Sequence, residues 1–564
     1  MFNTIIHLLY SGDILNLILN FFFLIYFIIL IIIYNKCKKD NKKLKIWKML
    51  CFLPFIISVI HCIIFVVGSA FLSILPFYIS IYIPAILIAL IPLLANKKVI
   101  YNTVKVIIII VCIICTILSI DSSKIANYTN KSLSDAYISL CDYLEDNYVL
   151  SEWKKIDYKK LKKEGLELIK EAEETDNINK YYEALNNLVS SFYDGHAGLD
   201  FYGIDYNYNV EKIKEFNDYG LSLITLDDGA TIAINVEDNI EIKEGDIITK
   251  WNDVPVNEAI EKVTLPLTEG IIENEKIQKT FYLAGIGGDT VKITYINSNN
   301  EEKVAILNKI DKNLPRALIS FGLLNHTKNE EYMYKMLSDD IGYLRVTSEE
   351  TNVFSDYYAY LTGNHKYARE KFRKDLRKLR EQGMKKLVID IRNNSGGYEE
   401  VATALTSLFT KEKMYAFSLG IRNKNKIKSV EDRFVYGDGE FCDLEIIVLT
   451  SMRCGSAGDG LSLYLSRLDN VTVAGLTNPS GINQEVGGYV YMPENTVITF
   501  PTGLVLDENG NPNIDIDDTR ISRNPIDIKI PLNKESAIKI FNSIDYELEW
   551  AIEYLNSKKT NIYY

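Results

Sequence analysis

The sequence predicts a multi-domain protein: four transmembrane α-helices, a helical segment, a small β domain and an α/β core. Three observations predict this. Apolar runs of membrane-spanning length are confined to the first 120 residues. Short β-like runs dominate from about 208 to 308. From 340 onward strand-like and helix-like stretches alternate, the pattern of three layers around a mainly parallel sheet. A chain of 564 residues is in any case too long for one core.

The apolar runs lie at about 12–34, 50–70, 72–95 and 100–120, each near the roughly twenty residues that a helix needs to cross a bilayer. They leave no polar face for water, which argues against buried core helices. Residues 1–11 lack the basic start of a cleaved signal peptide. The loop "NKCKKDNKKLKIWK" (35–48) is strongly basic and is expected in the cytoplasm. The next basic cluster, "NKK" at 96–98 with Lys105, follows two crossings later and so lies on the same side. Residues 1–120 then form a four-helix anchor in the cell membrane, and everything from about Asp121 is extracellular.

Charge divides the chain in the same place. The first 120 residues hold ten lysines against Asp13 and Asp40, and with a total of −12 the remainder carries −20. A part this acidic lacks the basic face that nucleic-acid binding requires. Its cysteines, Cys141, Cys442 and Cys454, have neither disulfide-framework nor zinc-site spacing, so no metal or cofactor is expected.

Residues 121–207 read as helical, with apolar residues at i, i+3 and i+4 in "LSDAYISLCDYLEDNYVL" and "YYEALNNLVSSF". The segment ends at "YDGHAGL". In 208–308, "KEGDIITKWNDVPVNEAIEKV" gives a Gly-Asp turn, a strand, a short turn and a helix. That order resembles a PDZ domain, a module that binds an extended peptide as an added strand. Residues 309–339 read as a connector. The α/β core, 340–564, offers strands in "IGYLRVTS", "KKLVIDI", "LEIIVLTS" and "VTVAGL", with helices around 366–382, 399–410 and 458–468.

Three stretches carry candidate chemistry. In "LVIDIRNNSGGYEEV" (387–401) a strand runs into a glycine turn that lets backbone amides approach a ligand, at the strand end where open α/β sheets bind. "VLTSMRCGSAGDGL" makes the same turn and sets Ser456 at a helix start, where the amides favour negative charge. A serine there is equally at home as a helix cap. Serine needs a base, and only His196, His326 and His365 lie outside the apolar region. His196 sits in the Gly-rich junction; His326 and His365 read as solvated.

In content and order these motifs, from "DGHAGL" through "GYLRV", "LVIDIRNNSGG" and "VLTSMRCGSAGD" to the closing "PTGLVLDENG…NPIDIKIPL", resemble the tail-specific, or C-terminal processing, peptidases. These are serine peptidases with a PDZ domain. The resemblance implies a crotonase-like/ClpP-like core, Ser456 as nucleophile, Asp459 as its acidic neighbour, and an oxyanion hole from Gly396 or Gly397 with Ala457. Cys454 falls two positions early and is assigned to packing. One branch of the family places a lysine where Gly481 stands here, and no lysine occurs between Ser456 and Lys529. The tricorn-like branch uses an upstream histidine, which matches His196, although Gly195 and Ala197 replace that branch's usual neighbours. Glu485 and Asp507 are the candidates for an acid orienting the imidazole. The implied function is a membrane-anchored serine endopeptidase acting on peptides or protein tails. The alternative is a non-catalytic peptide-binding receptor on the same fold.

Overall fold

The computed structural model describes residues 13–558 except 38, 69–74, 95–97, 123–125, 203–205, 266–269, 312–315, 329–330 and 424–425. It divides into two units, Met1–Asn127 and Tyr128–Tyr564.

In the first unit the apolar runs fold as helices Asp13–Cys37, Leu53–Gly68, Leu75–Leu94 and Lys98–Ser122, and the basic loop forms a short helix of its own, Asn41–Leu50. Among the described residues only Ile18–Cys37 is long and apolar enough to cross a membrane; Tyr82–Leu93 and Thr103–Cys115 are shorter apolar stretches. The expectation of four spans is corrected to this one, because the other helices' described apolar stretches are too short. Residues 1–12, 96 and 97, used above for orientation, lie outside the described residues.

The second unit is built on a six-stranded sheet. Its order is Ile528–Lys529, Val471–Gly475, Glu445–Leu449, Lys386–Asp390, Ile341–Arg345 and Met333–Met336, parallel except for the last strand. Neighbouring residues of one strand face opposite sides, as the pleat requires. Leu387, Ile389, Ile446 and Val448 pack against helices Arg369–Glu381, Glu399–Thr406 and Ala457–Ser466. Val388, Ile447 and Leu449 pack on the other side against Lys534–Phe541 and Tyr546–Ser557. These three layers follow the predicted alternation of strands and helices. The 309–339 stretch, expected as a connector, instead supplies helix Arg316–Leu324 and the antiparallel edge strand Met333–Met336.

A second sheet was not foreseen. It runs Glu485–Met492, Thr496–Leu506, Lys413–Asn423, Lys426–Tyr436, all antiparallel. The junction strand Gly198–Phe201 joins it, pairing Gly198 with Thr499 and Leu199 with Ile498. This pairing draws the segment just after His196 onto the core. A third sheet holds the antiparallel strands Ser222–Thr225, Thr231–Ile234, Ile247–Trp251, Thr290–Ile296 and Glu302–Asn308, accompanied by helices Val256–Glu261 and Ile272–Leu283.

Candidate active site

The buried strand Glu445–Leu449 ends at the core edge, and helix Ala457–Ser466 begins eight residues later. Between them Ser456 takes φ +56 and ψ −134. A residue with a Cβ holds such a backbone only when its surroundings impose it. Here they do: Ser456 N–H donates to Ile482 O at 2.9 Å, Gly455 N–H to Asn394 O at 3.0 Å, and Ser480 N–H to Cys454 O at 2.9 Å. The Ser456 side chain does not cap its helix. Its hydroxyl makes no hydrogen bond to any described residue.

The second glycine turn lies directly against it. A Cβ on Gly396 would stand 2.4 Å from Ser456 Cβ and 2.9 Å from Oγ, and one on Gly397 would stand 2.6 Å from Glu349 O. Both glycines have positive φ, +95 and +151, so this approach requires glycine on steric and conformational grounds alike. The Gly396 amide is occupied, donating to Asn394 Oδ1 at 2.8 Å. Of the expected oxyanion donors this leaves Gly397 and Ala457, whose N–H groups donate to no described residue.

Two residues absent from the sequence reading brace the turn. Asn394 donates from Nδ2 to Glu349 Oε1 at 2.7 Å and to Val346 O at 3.1 Å. The Glu349 backbone donates to Gly396 O at 3.0 Å and accepts from Tyr398 N–H at 3.1 Å. Asn394 and Glu349 are both buried. Burial pushes the Glu349 carboxyl up to about 8, with the Asn394 bond acting the other way. Nothing in "VTSEET" signals this role, because the partner lies 45 residues on.

Asp459, fully buried, ties down the loop across the turn. Its carboxylate accepts from Gly481 N–H at 2.8 Å and from Asn524 Nδ2 at 2.6 Å, and burial lifts it to about 7 against those bonds. Gly481 has φ +72, and a Cβ there would come within 3.1 Å of Ile271 and 3.2 Å of Ile516. A lysine at this position would be strained by the positive φ and crowded by these two isoleucines.

The junction "YDGHAGL" reaches the same loop. A Cβ on Gly195 would meet Ile482 Cδ1 at 2.7 Å, the residue whose carbonyl holds the Ser456 amide. The His196 backbone donates to Asp194 Oδ1 at 2.9 Å, and Tyr148 Oη donates to Asp194 Oδ2 at 2.7 Å. His196 Nδ1 is buried with no hydrogen-bond partner. Burial lowers its pKa, partly offset by the Asp194 charge. Behind it Lys154 Nζ donates to Tyr193 O at 3.0 Å, and buried Asp515 accepts from Asn483 N–H at 3.0 Å. No sequence signal marked Asp194, Lys154 or Asp515.

Several expectations need correction. Glu485 is pushed up by burial, against the charge of Arg433. Asp507 accepts from Asn509 and Asn511 N–H in a tight turn and pairs with Arg523 at 3.3 Å. Neither hydrogen-bonds the imidazole. His326 is not solvated; its Nε2 lies 2.9 Å from Glu547 and 2.7 Å from Arg392. His365 is buried, accepts from Tyr436 N–H at 3.2 Å, and is pushed down to about 4 by burial and Arg369. Their partners come from distant chain segments, so local polarity misjudged both. Cys454, in contrast, is fully buried as expected of a packing residue, and burial raises its thiol far from the reactive thiolate form.

Comparison with known proteins bears on this geometry. Residues 340–520 match the model of peptidase family S41. Mature CPAF complexed with lactacystin is similar in structure, with TM-score 0.50, 13% identity, and coverage of 76% of this chain and 99% of that one. A peptidase structure from Parabacteroides merdae gives TM-score 0.42, 17% identity, and coverage of 77% and 100%. The photosystem II D1 C-terminal processing protease gives TM-score 0.32, 14% identity, and coverage of 71% and 93%. No curated protein matches the chain. The matched residues 340–520 span the strands and turns that carry Ser456, so this part of the chain is similar to peptidase family S41, which supports a serine-type peptidase.

Proposed function

We propose that the protein is a membrane-anchored endopeptidase that cleaves peptides or protein tails through an acyl-enzyme on Ser456, with His196 as general base. Ser456 Oγ attacks the scissile carbonyl and its proton passes to His196. The Gly397 and Ala457 amides stabilise the oxyanion, His196 returns the proton to the leaving amine, and water hydrolyses the ester. The observation that carries the reading is the strained, unbonded Ser456 beside two amides without hydrogen-bond partners. The positive φ and crowding at Gly481 favour a histidine base over a lysine there, and Ser456 and His196, which share no hydrogen bond here, come into contact when substrate binds.

Anchoring rests on helix Ile18–Cys37 and on the outward faces of its unit, where Ile18, Phe21 and Val106 are more than half exposed, a surface suited to lipid. This anchor leaves the catalytic part outside. The 208–308 sheet with its two helices acts as a PDZ-like domain docking a free C-terminus.

A fluorophosphonate probe tests the chemistry: wild type is labelled at Ser456, Ser456→Ala is not, and His196→Ala reacts far more slowly. A folded wild type that resists labelling would move the reading to a non-catalytic peptide receptor, which the unpartnered His196 Nδ1 favours. Protease protection in intact cells tests the orientation.

A further inference from the structure

A cavity of ≈ 450 Å³ opens beside the strand Ile341–Arg345, with no part of the Ser456 turn in its lining. Its polar wall is His326, Lys328, Lys335, Arg345 and Asp545; Leu323, Ile540, Ile544 and Leu548 form the apolar side. The volume is within the range that small-molecule sites occupy.

The charges do not cancel. Asp545 is held by Arg392 through two bonds, at 2.7 and 2.9 Å. Asp390, just behind, is likewise taken by Arg392 at 2.9 and 2.8 Å and by Tyr343 Oη at 2.6 Å. Arg345, only 16% exposed, donates from Nε to Tyr343 Oη at 3.0 Å and is 3.7 Å from Asp390. Its two Nη groups have no acceptor among the described residues. Lys335 lies 5.6 Å from the centre of the Tyr343 ring, and neither it nor Lys328 pairs with a carboxylate among the described residues. Three permanent cations therefore face a space whose acids are committed to a fourth. A desolvated guanidinium with an open fork is satisfied best by a bidentate oxyanion.

We propose that this cavity is a binding site for a small organic anion, with its carboxylate or phosphate head on the Arg345 fork and its apolar body against Ile540, Ile544 and Leu548. The site is independent of the peptidase reading. Titration calorimetry on the full-length chain at low ionic strength tests it with three probes: 4-methylpentanoate, its uncharged amide and inorganic phosphate. The expected result is saturable binding of at least one anion and none of the amide. Affinity falls at least about tenfold in Arg345→Met, the loss of a charge-assisted pair, and about threefold in Lys335→Gln, an exposed charge. Tighter carboxylate binding identifies an organic acid, and tighter phosphate binding a phosphorylated one. The proposal is overturned if neither anion saturates the protein by about 50 mM, or if folded Arg345→Met binds as wild type does. Should Arg345→Met not fold, undiminished affinity in Lys328→Gln/Lys335→Gln, both surface changes, overturns it equally.

Discussion

Replacing Glu349 should show whether the proposed oxyanion turn depends on a carboxyl that stays protonated near neutral pH. Its Oε1 accepts from Asn394 Nδ2, and Asn394 Oδ1 in turn fixes the Gly396 amide. Glu349 Oε2 is buried without a partner. Burial carries the carboxyl from its ordinary 4.5 to about 8; Asn394 opposes this and neighbouring Glu350 adds to it, while Glu399 and Cys454 also lie in its field. A folded-state pKa above the unfolded value means that the stability is present at low pH and is lost as pH rises from about 4.5 through about 8. That displacement corresponds to at most about 5 kcal/mol. Glu349→Gln mimics the protonated acid. Its stability advantage over wild type should therefore grow across this window and level off above it, and its activity should persist at alkaline pH where wild type declines. Glu349→Ala should lower kcat by about 10- to 100-fold with KM little changed, because a loosened turn weakens an oxyanion donor. Denaturant unfolding and kcat measured from pH 5 to 9.5 check both. Asp459, Glu400 and Asp515, each lifted to about 7 by burial, titrate alike in wild type and variant. Superimposable profiles for wild type and Glu349→Gln would refute the reasoning.

Ser456→Gly should abolish peptidase activity yet raise stability by about 1 kcal/mol, since glycine relieves the positive φ; a lower Tm would contradict the strain argument. Gly396→Ala should eliminate fluorophosphonate labelling because its Cβ collides with Ser456, whereas Gly288→Ala, with open space at that point, should label normally. Gly481→Lys should not restore a Ser–Lys pair; the positive φ and the Ile271 and Ile516 contacts make it destabilising by about 2 kcal/mol or more, which chemical denaturation measures.

Legibility followed the range of the interaction. The strands around "LVIDI" and "IIVLTS" and the helix after Ser456 could be read from apolar runs and small-residue turns, because local burial dictates them. The long antiparallel strands Lys413–Asn423 and Lys426–Tyr436 could not. They are polar and charged on one face, and their pairing is set by tertiary contacts. "RNNSGG" announced a turn beside the site, but Gly396 and Gly397 look equivalent in sequence; only the Asn394 side chain distinguishes the occupied amide. The PDZ-like order was read from a short stretch, and the sheet around it has more strands than that stretch revealed.

The junction strand Gly198–Phe201 finds its partner in Thr496–Thr499, nearly three hundred residues later. During synthesis the histidine turn emerges early and waits, without a sheet to join, until almost the entire chain has been made. A ribosome-bound fragment ending anywhere before that hairpin lacks the strand that draws the His196 turn onto the core, so on the proposed mechanism it could not bring base and nucleophile together. On that mechanism, hydrolysis would begin only once translation is nearly complete.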